Sequence, residues 1–233
     1  MAKLPHAGAC KTRLVPPLTY DQAAALSTCF LRDTARNIAS VANADNACGA
    51  AAYTPRAQDA ELLALFPPNF MFVEQRGVTF GERLYNAATD LFEAGFASVC
   101  LIDSDSPTLP GAYLSAAVRR LQRPGDRVVL GPALDGGYYL IGLKAPHSHL
   151  FANVPWSTSR VLEQTIERAN ECGLDVELLP QWYDVDDASA LAKLSEEIVF
   201  GTAPRGYRAC ETEAFLRTLA ASRGLGIDLE NAG

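Results

Sequence analysis

Apolar positions along the chain alternate between helical spacing and short continuous runs. Over residues 21–41, Ala24, Leu26, Phe30, Leu31 and Ile38 recur at helical spacing, and Thr19 stands where an N-cap belongs. Segments 47–53 and 70–74 are short and apolar, as strands are. Between them, residues 58–66 predict a short helix ended by Pro67-Pro68. An amphipathic helix follows over 80–94, stopped by Gly95. Residues 98–102, Ser-Val-Cys-Leu-Ile, are almost continuously apolar, which suits a strand covered on both faces, and they run straight into Asp103-Ser104-Asp105.

The second half repeats the pattern. A helix is expected over 110–121, closed by Pro124-Gly125, then strands over 127–130 and 138–143 separated by a glycine-containing turn. Residues 157–172 predict a helix with Ser157 or Thr158 as cap and Gly173 as stop. A strand over 175–179 leads to Asp184-Val185-Asp186-Asp187, and helices are expected over 188–200 and 211–221. Strands alternating with helices give an α/β class with a parallel or mostly parallel sheet between helical layers. Such a sheet normally begins with a strand before its first phosphate loop. Only Met1–Leu4 precede Pro5, so the first strand is expected to be truncated.

Composition narrows the picture. At 233 residues, with 48% hydrophobic and 20% charged residues, the chain is ordinary globular material for one large domain. A net charge of −7 argues against a nucleic-acid partner but leaves room for a local basic pocket. The N-terminus has no apolar run of signal-peptide length, and the longest apolar stretch, 97–102, is too short to span a bilayer. Six scattered cysteines without a Cys-x-x-Cys pair read as reduced thiols, and the cytoplasm is the expected location.

Four segments carry candidate chemistry. Residues 5–14 form a loop of small residues around Gly8 with Lys11 and Arg13, suited to phosphate, although it lacks the glycines of a P-loop. Asp103 and Asp105 sit at the carboxyl end of a buried strand, where open α/β sheets bind ligands, and two carboxylates there suit Mg²⁺ or Mn²⁺. Helix capping is the competing role for these residues. Asp184 and Asp186 offer a second carboxylate pair, with Asp186 or Asp187 also able to cap the following helix. Asp135-Gly136-Gly137 allows either close approach of a ligand or an ordinary tight turn. Trp156, Trp182, Tyr138 and Tyr139 read first as packing residues, and His147 and His149 as loop residues.

In order, Lys3–Leu14, Leu31-Arg-Asp-Thr34, Phe80-Gly-Glu-Arg-Leu84, Ile102-Asp-Ser-Asp-Ser-Pro-Thr-Leu109, Gly131–Gly142, Pro155-Trp-Ser-Thr158 and Asp184-Val-Asp186 resemble the motifs of the DUF2064 family. That family lies in the glycosyltransferase-A (GT-A), or nucleotide-diphospho-sugar transferase, superfamily. The opening also looks like that of 2-phospholactate guanylyltransferases. The resemblance implies a three-layer GT-A-like sandwich with a mixed, mainly parallel sheet, and a nucleotide and divalent metal at the strand carboxyl ends. It also implies that Asp105 is the better-supported ligand, because Asp103 stands where the family often has a small residue.

The combined expectation is a metal-dependent transferase with Asp105 and Asp135 catalytic. Asp105, Asp103, Asp184 and Asp186 would hold Mg²⁺ or Mn²⁺. Gly8, Lys11, Arg13 and Arg83 would bind the nucleotide phosphates, and Gly136, Gly137 and Trp156 would face the acceptor or the sugar. A nucleotide-sugar donor with a small acceptor, a nucleoside triphosphate donor with pyrophosphate release, and a non-catalytic nucleotide-binding homologue all stay open. The transferase domain is expected over 1–205, with 206–233 a helical extension packed on it.

Overall fold

The computed structural model describes residues 1–54, 60–200 and 206–222. In chain order the elements are α1 (Tyr20–Asp45), β1 (Ala50–Tyr53), α2 (Ala60–Leu63), β2 (Met71–Glu74), α3 (Phe80–Glu93), β3 (Val99–Ile102) and α4 (Gly111–Leu121). They continue with β4 (Arg127–Pro132), β5 (Tyr138–Leu143), α5 (Val161–Glu171), β6 (Asp175–Leu178), α6 (Ala188–Phe200) and α7 (Cys210–Ser222). Of the expected helix over 58–66, only Ala60–Leu63 is helical as α2 and 64–66 turn, while residues 58 and 59 lie outside the described residues.

Local signals fix several of these boundaries. Thr19 and Gln22 form a reciprocal capping box at the start of α1, and Thr79 and Glu82 form another at α3. The expected start of α5 at residue 157 is corrected to Val161. Ser157 has φ +64°, and the Thr158 hydroxyl donates back to the Pro155 carbonyl, so 155–160 turn instead of coiling. Arg160 occupies the cap position without a side-chain cap bond.

The main sheet has the order β3-β5-β4-β6. β5 runs antiparallel to both neighbours, and β4 pairs parallel with β6. Only five residues join β4 to β5, too few for a crossover, so that connection forces the single reversal. β1 and β2 pair in parallel as a separate two-stranded sheet. The result is the mixed, mainly parallel α/β arrangement of the GT-A-like class.

Where a first strand was expected, two residues stand. Ala2 bridges Tyr53 in parallel and donates to Ala52 O, while the Met1 amine donates to Ile102 O at 2.9 Å. The rest of the space between β1 and β3 is an apolar cavity of about 350 Å³ lined by Ala50–Ala52, Val99–Ile102 and residues of α1 and α4.

Alternate residues of the sheet feed two cores, as strand geometry requires. Val129 and Leu140 pack with Leu26, Phe30, Leu114, Leu194 and Leu216 of α1, α4, α6 and α7. Val128, Leu130, Ile141 and Leu143 pack with Leu84, Ala87 and Ala169 of α3 and α5. Helices therefore cover both faces. The expected division at residue 205 lies outside the described residues, as do 223–233. α7 itself sits on α1, where the buried Asp33 carboxylate accepts from Glu211 N, Thr212 N and the Thr212 hydroxyl.

Candidate functional site

Three loops meet beyond the carboxyl end of β3. The first follows the chain start: Lys3 Nζ donates to Ala9 O, and Lys11 takes a left-handed backbone (φ +47°) ahead of a short 3-10 turn, Thr12–Leu14. The second is the Asp103–Asp105 segment, where Asp103 N continues the ladder by donating to Tyr139 O. The third is 183–187, anchored by the Tyr183 hydroxyl between Thr108 and Glu197, by Lys193 4.2 Å over the Tyr183 ring, and by Trp182 stacked on Tyr183. A backbone bond from Val185 N to Asp105 O, 2.9 Å, ties the second loop to the third.

Lys11 locks all three together. Its ammonium lies 2.8 Å from Asp105 Oδ1, 2.7 Å from Asp186 Oδ1 and 2.8 Å from the Val185 carbonyl. Its side chain is only 7% exposed, whereas that of Arg13 is 70% exposed and reaches Asp186 and Asp187 at 4.0 and 3.9 Å. Burial pulls the Lys11 ammonium down, but the neighbouring Asp105 and Asp186 carboxylates outweigh it and hold it above its ordinary value. A cleft of about 310 Å³ opens beside this junction, lined by Lys3, Ala9, Lys11, Arg13, Ser104, Asp105 and Asp186, with Ser27 and Leu31 of α1.

The remaining carboxylates are short of positive charge. Burial, with Asp105 and Asp184 nearby, pushes the Asp103 carboxyl up to about 8, against one hydrogen bond from Ser106. Burial and the charges of Asp135 and Asp186 push Asp184 up to about 6. These five aspartates thus share one electrostatic neighbourhood. Among the described residues, however, no three acidic, histidine or cysteine side chains converge as a ready-made cation cage. Any divalent ion here would take one or two carboxylates and rely on a phosphate for the rest, a mode usual for Mg²⁺.

The other expected site residues fall in definite places. Gly8 has φ +74° and open space where a Cβ would stand. Asp187, by accepting from Ala190 N, takes the capping role and leaves Asp186 for Lys11. Asp135 accepts from Gly137 N in the β4–β5 turn. Gly136 (φ +91°) makes its close approach to the protein itself, since an added Cβ would stand 2.1 Å from Ser159 O. Trp156 packs edge-on to Phe80 and Tyr138 and lies against Gly81. Arg83 has a buried Nε without an acceptor and no ion-pair partner among the described residues. The Val185 carbonyl, the third oxygen around Lys11, has no side-chain signature in the sequence. Lys3 and Ser27 could have been found only by knowing which loops meet.

A family profile described as an uncharacterized protein conserved in bacteria, DUF2064, matches residues 37–158, just over half of the chain. The chain belongs to the DUF2064 family. A solved structure from Desulfovibrio desulfuricans G20, provisionally named a nucleotide-diphospho-sugar transferase, is 32% identical to it with a TM-score of 0.81. The match covers 94% of this chain and 93% of that one. No curated protein matches. For this DUF2064 chain the likeness places the fold within a nucleotide-sugar transferase-like architecture. No helix among the described residues is long and apolar enough to cross a membrane, and all six cysteines are free.

Proposed function

We propose that this protein is a metal-dependent transferase that takes a nucleotide-diphospho-sugar as donor and passes the sugar to a small acceptor. The observation that carries this reading is the junction of Lys11, Asp105 and Asp186 at the carboxyl end of β3, beside an open cleft. Kinship to the Desulfovibrio protein supports the donor class.

In this reading Asp105, with Asp186 beside it, holds Mg²⁺ or Mn²⁺, and Asp103 and Asp184 complete the acidic surround. The bound ion neutralises charge that builds on the departing diphosphate. Lys11 and Arg13 bind donor phosphate, and the loop around Gly8 leaves room for its backbone to approach. Arg83 supplies a further cation, on the strength of its buried Nε, which has no hydrogen-bond acceptor among the described residues. Asp135 orients the acceptor or the sugar hydroxyls from the rigid β4–β5 turn, with the Gly136-Gly137 backbone and Trp156 behind it. Free thiols fit a reducing cytoplasm.

A panel of sugar nucleotides and nucleoside triphosphates, each titrated with and without Mn²⁺, tests the proposal on wild type and Asp105→Ala. Metal-dependent binding of a sugar nucleotide, lost at least tenfold in Asp105→Ala, is the expected result. Metal-dependent binding that survives the substitution overturns the site. Turnover that releases pyrophosphate from a triphosphate assigns nucleotidyl transfer instead, and binding without turnover of any donor assigns a non-catalytic role.

A further inference from the structure

We infer that Lys11 is a resident counter-ion that fills the cation position between Asp105 and Asp186, and that donor phosphate draws it away so that the metal can enter. The inference rests on the metal reading above and concerns the order in which the site fills.

The coordination of Nζ carries it. An ammonium has three N–H donors, and Lys11 meets three oxygens at 2.7–2.8 Å: two carboxylates and the Val185 carbonyl. No donor is left for a phosphate, so Lys11 cannot both keep this position and bind the donor. Carboxylate and carbonyl oxygens are also the ligands that hard divalent cations choose. The cup therefore suits either occupant, and only one fits at a time.

Lys11 has the means to leave. It sits on a flexible four-carbon stem, and Lys11 is among the residues that line the open cleft, with Arg13 and Ser104. Metal arriving alone must evict a well-satisfied ammonium into water, so it binds weakly. With donor phosphate in the cleft, the ammonium exchanges carboxylate for phosphate while the metal takes the cup. Metal and donor consequently strengthen each other, and linkage requires that the gain be the same in both directions.

The test is Mn²⁺ affinity without nucleotide, read by electron paramagnetic resonance of the free ion. Wild type, Lys11→Met, Lys11→Arg and the double variant Lys11→Met/Asp105→Asn are compared, each checked for fold by circular dichroism. Lys11→Met should bind Mn²⁺ at least tenfold more tightly than wild type. Lys11→Arg, which keeps the charge, should stay as weak as wild type, and the double variant should lose the gain. A Lys11→Met protein that binds no more tightly, while Asp105 is still required, overturns the role of Lys11 alone. Tight binding that persists in the double variant overturns the metal site as well. Should Lys11→Met fail to fold, acetylation of wild type gives a second readout. Mn²⁺ at a concentration that electron paramagnetic resonance shows to fill the site should speed modification of the Lys11 amine several-fold and leave Lys144 unchanged; an unaltered Lys11 rate overturns the inference.

Discussion

Asp103 and Asp184 hold their protons far above the ordinary carboxylate range, at about 8 and about 6, because burial and neighbouring carboxylates oppose ionisation. An unfolded aspartate titrates near ~3.9. Between roughly pH 4 and pH 8, therefore, the folded chain binds protons that the unfolded chain has released. Stability from these two groups is fully present below pH 4 and is lost as pH rises, through about 6 for Asp184 and about 8 for Asp103. In EDTA the urea midpoint of wild type should fall from pH 5 to pH 8, and Asp103→Asn should fall less. Equal slopes for the two proteins would sink this account. Mg²⁺ should raise the midpoint more at pH 8 than at pH 5, because protons and the ion compete for the same oxygens.

Between elements, a long-range link outside the cores is the Asp33 cap on α7. It joins residues nearly 180 positions apart through two backbone N–H groups and one hydroxyl. Arg36, paired with Glu211, adds an exposed contribution at the same place. Asp33→Ala should cost about 1–2 kcal/mol in chemical denaturation, the range for a lost helix cap. It should also speed proteolysis near α7 before the rest of the chain is cut. Asp33→Asn, able to accept but not charged, should fall between; a stability equal to wild type in Asp33→Ala would refute the link. This contact also marks where sequence reading stops. Leu31-Arg-Asp-Thr34 was visible as a motif, but nothing in its spacing says that Asp33 caps a helix from the far end of the chain. Elements with local signals were legible: Thr19 with Gln22, Thr79 with Glu82, and the apolar run leading to Asp105. The start of α5 was misplaced because Ser157 and Thr158 look like caps, whereas the left-handed Ser157 and the bond from Thr158 to Pro155 O make a turn. At the site, the residue types were readable and their pairing was not. Lys11 reads as a phosphate ligand in the sequence, with nothing to say that it is buried between two carboxylates, and a backbone carbonyl such as that of Val185 carries no mark in any sequence.

Over the whole molecule, the described strands fall into two unequal sheets, and their burial differs as much as their size. β4 is buried at all six positions and β5 at five of six, while β2 has three of its four residues exposed. Met1 and Ala2 link β1 to the main sheet, Ala52 joins the core that contains Val99 and Leu101, and the apolar cavity lies beside them. Local opening is governed by the apolar contacts that must be broken, so the two sheets should open with different free energies. Hydrogen–deuterium exchange should reflect this. Amides in 50–53 and 71–74 should exchange at least tenfold faster than those in 127–132 and 138–143. Helix α1 should be slow along its Leu26–Phe30 side, which packs on the main core. Uniform protection of both sheets would mean that the β1–β2 pair opens only with the whole chain, and that the contacts of α1 with Ala51 and Phe70 hold it as firmly as strand pairing holds the rest. The site lies at the carboxyl end of β3, in the main sheet, and its first loop anchors Leu14 in the main core. Lys11, bonded to both Asp105 and Asp186, ties this loop to the end of β3 and to the 183–187 segment. Its release should loosen residues 3–14 while 99–105 stay protected.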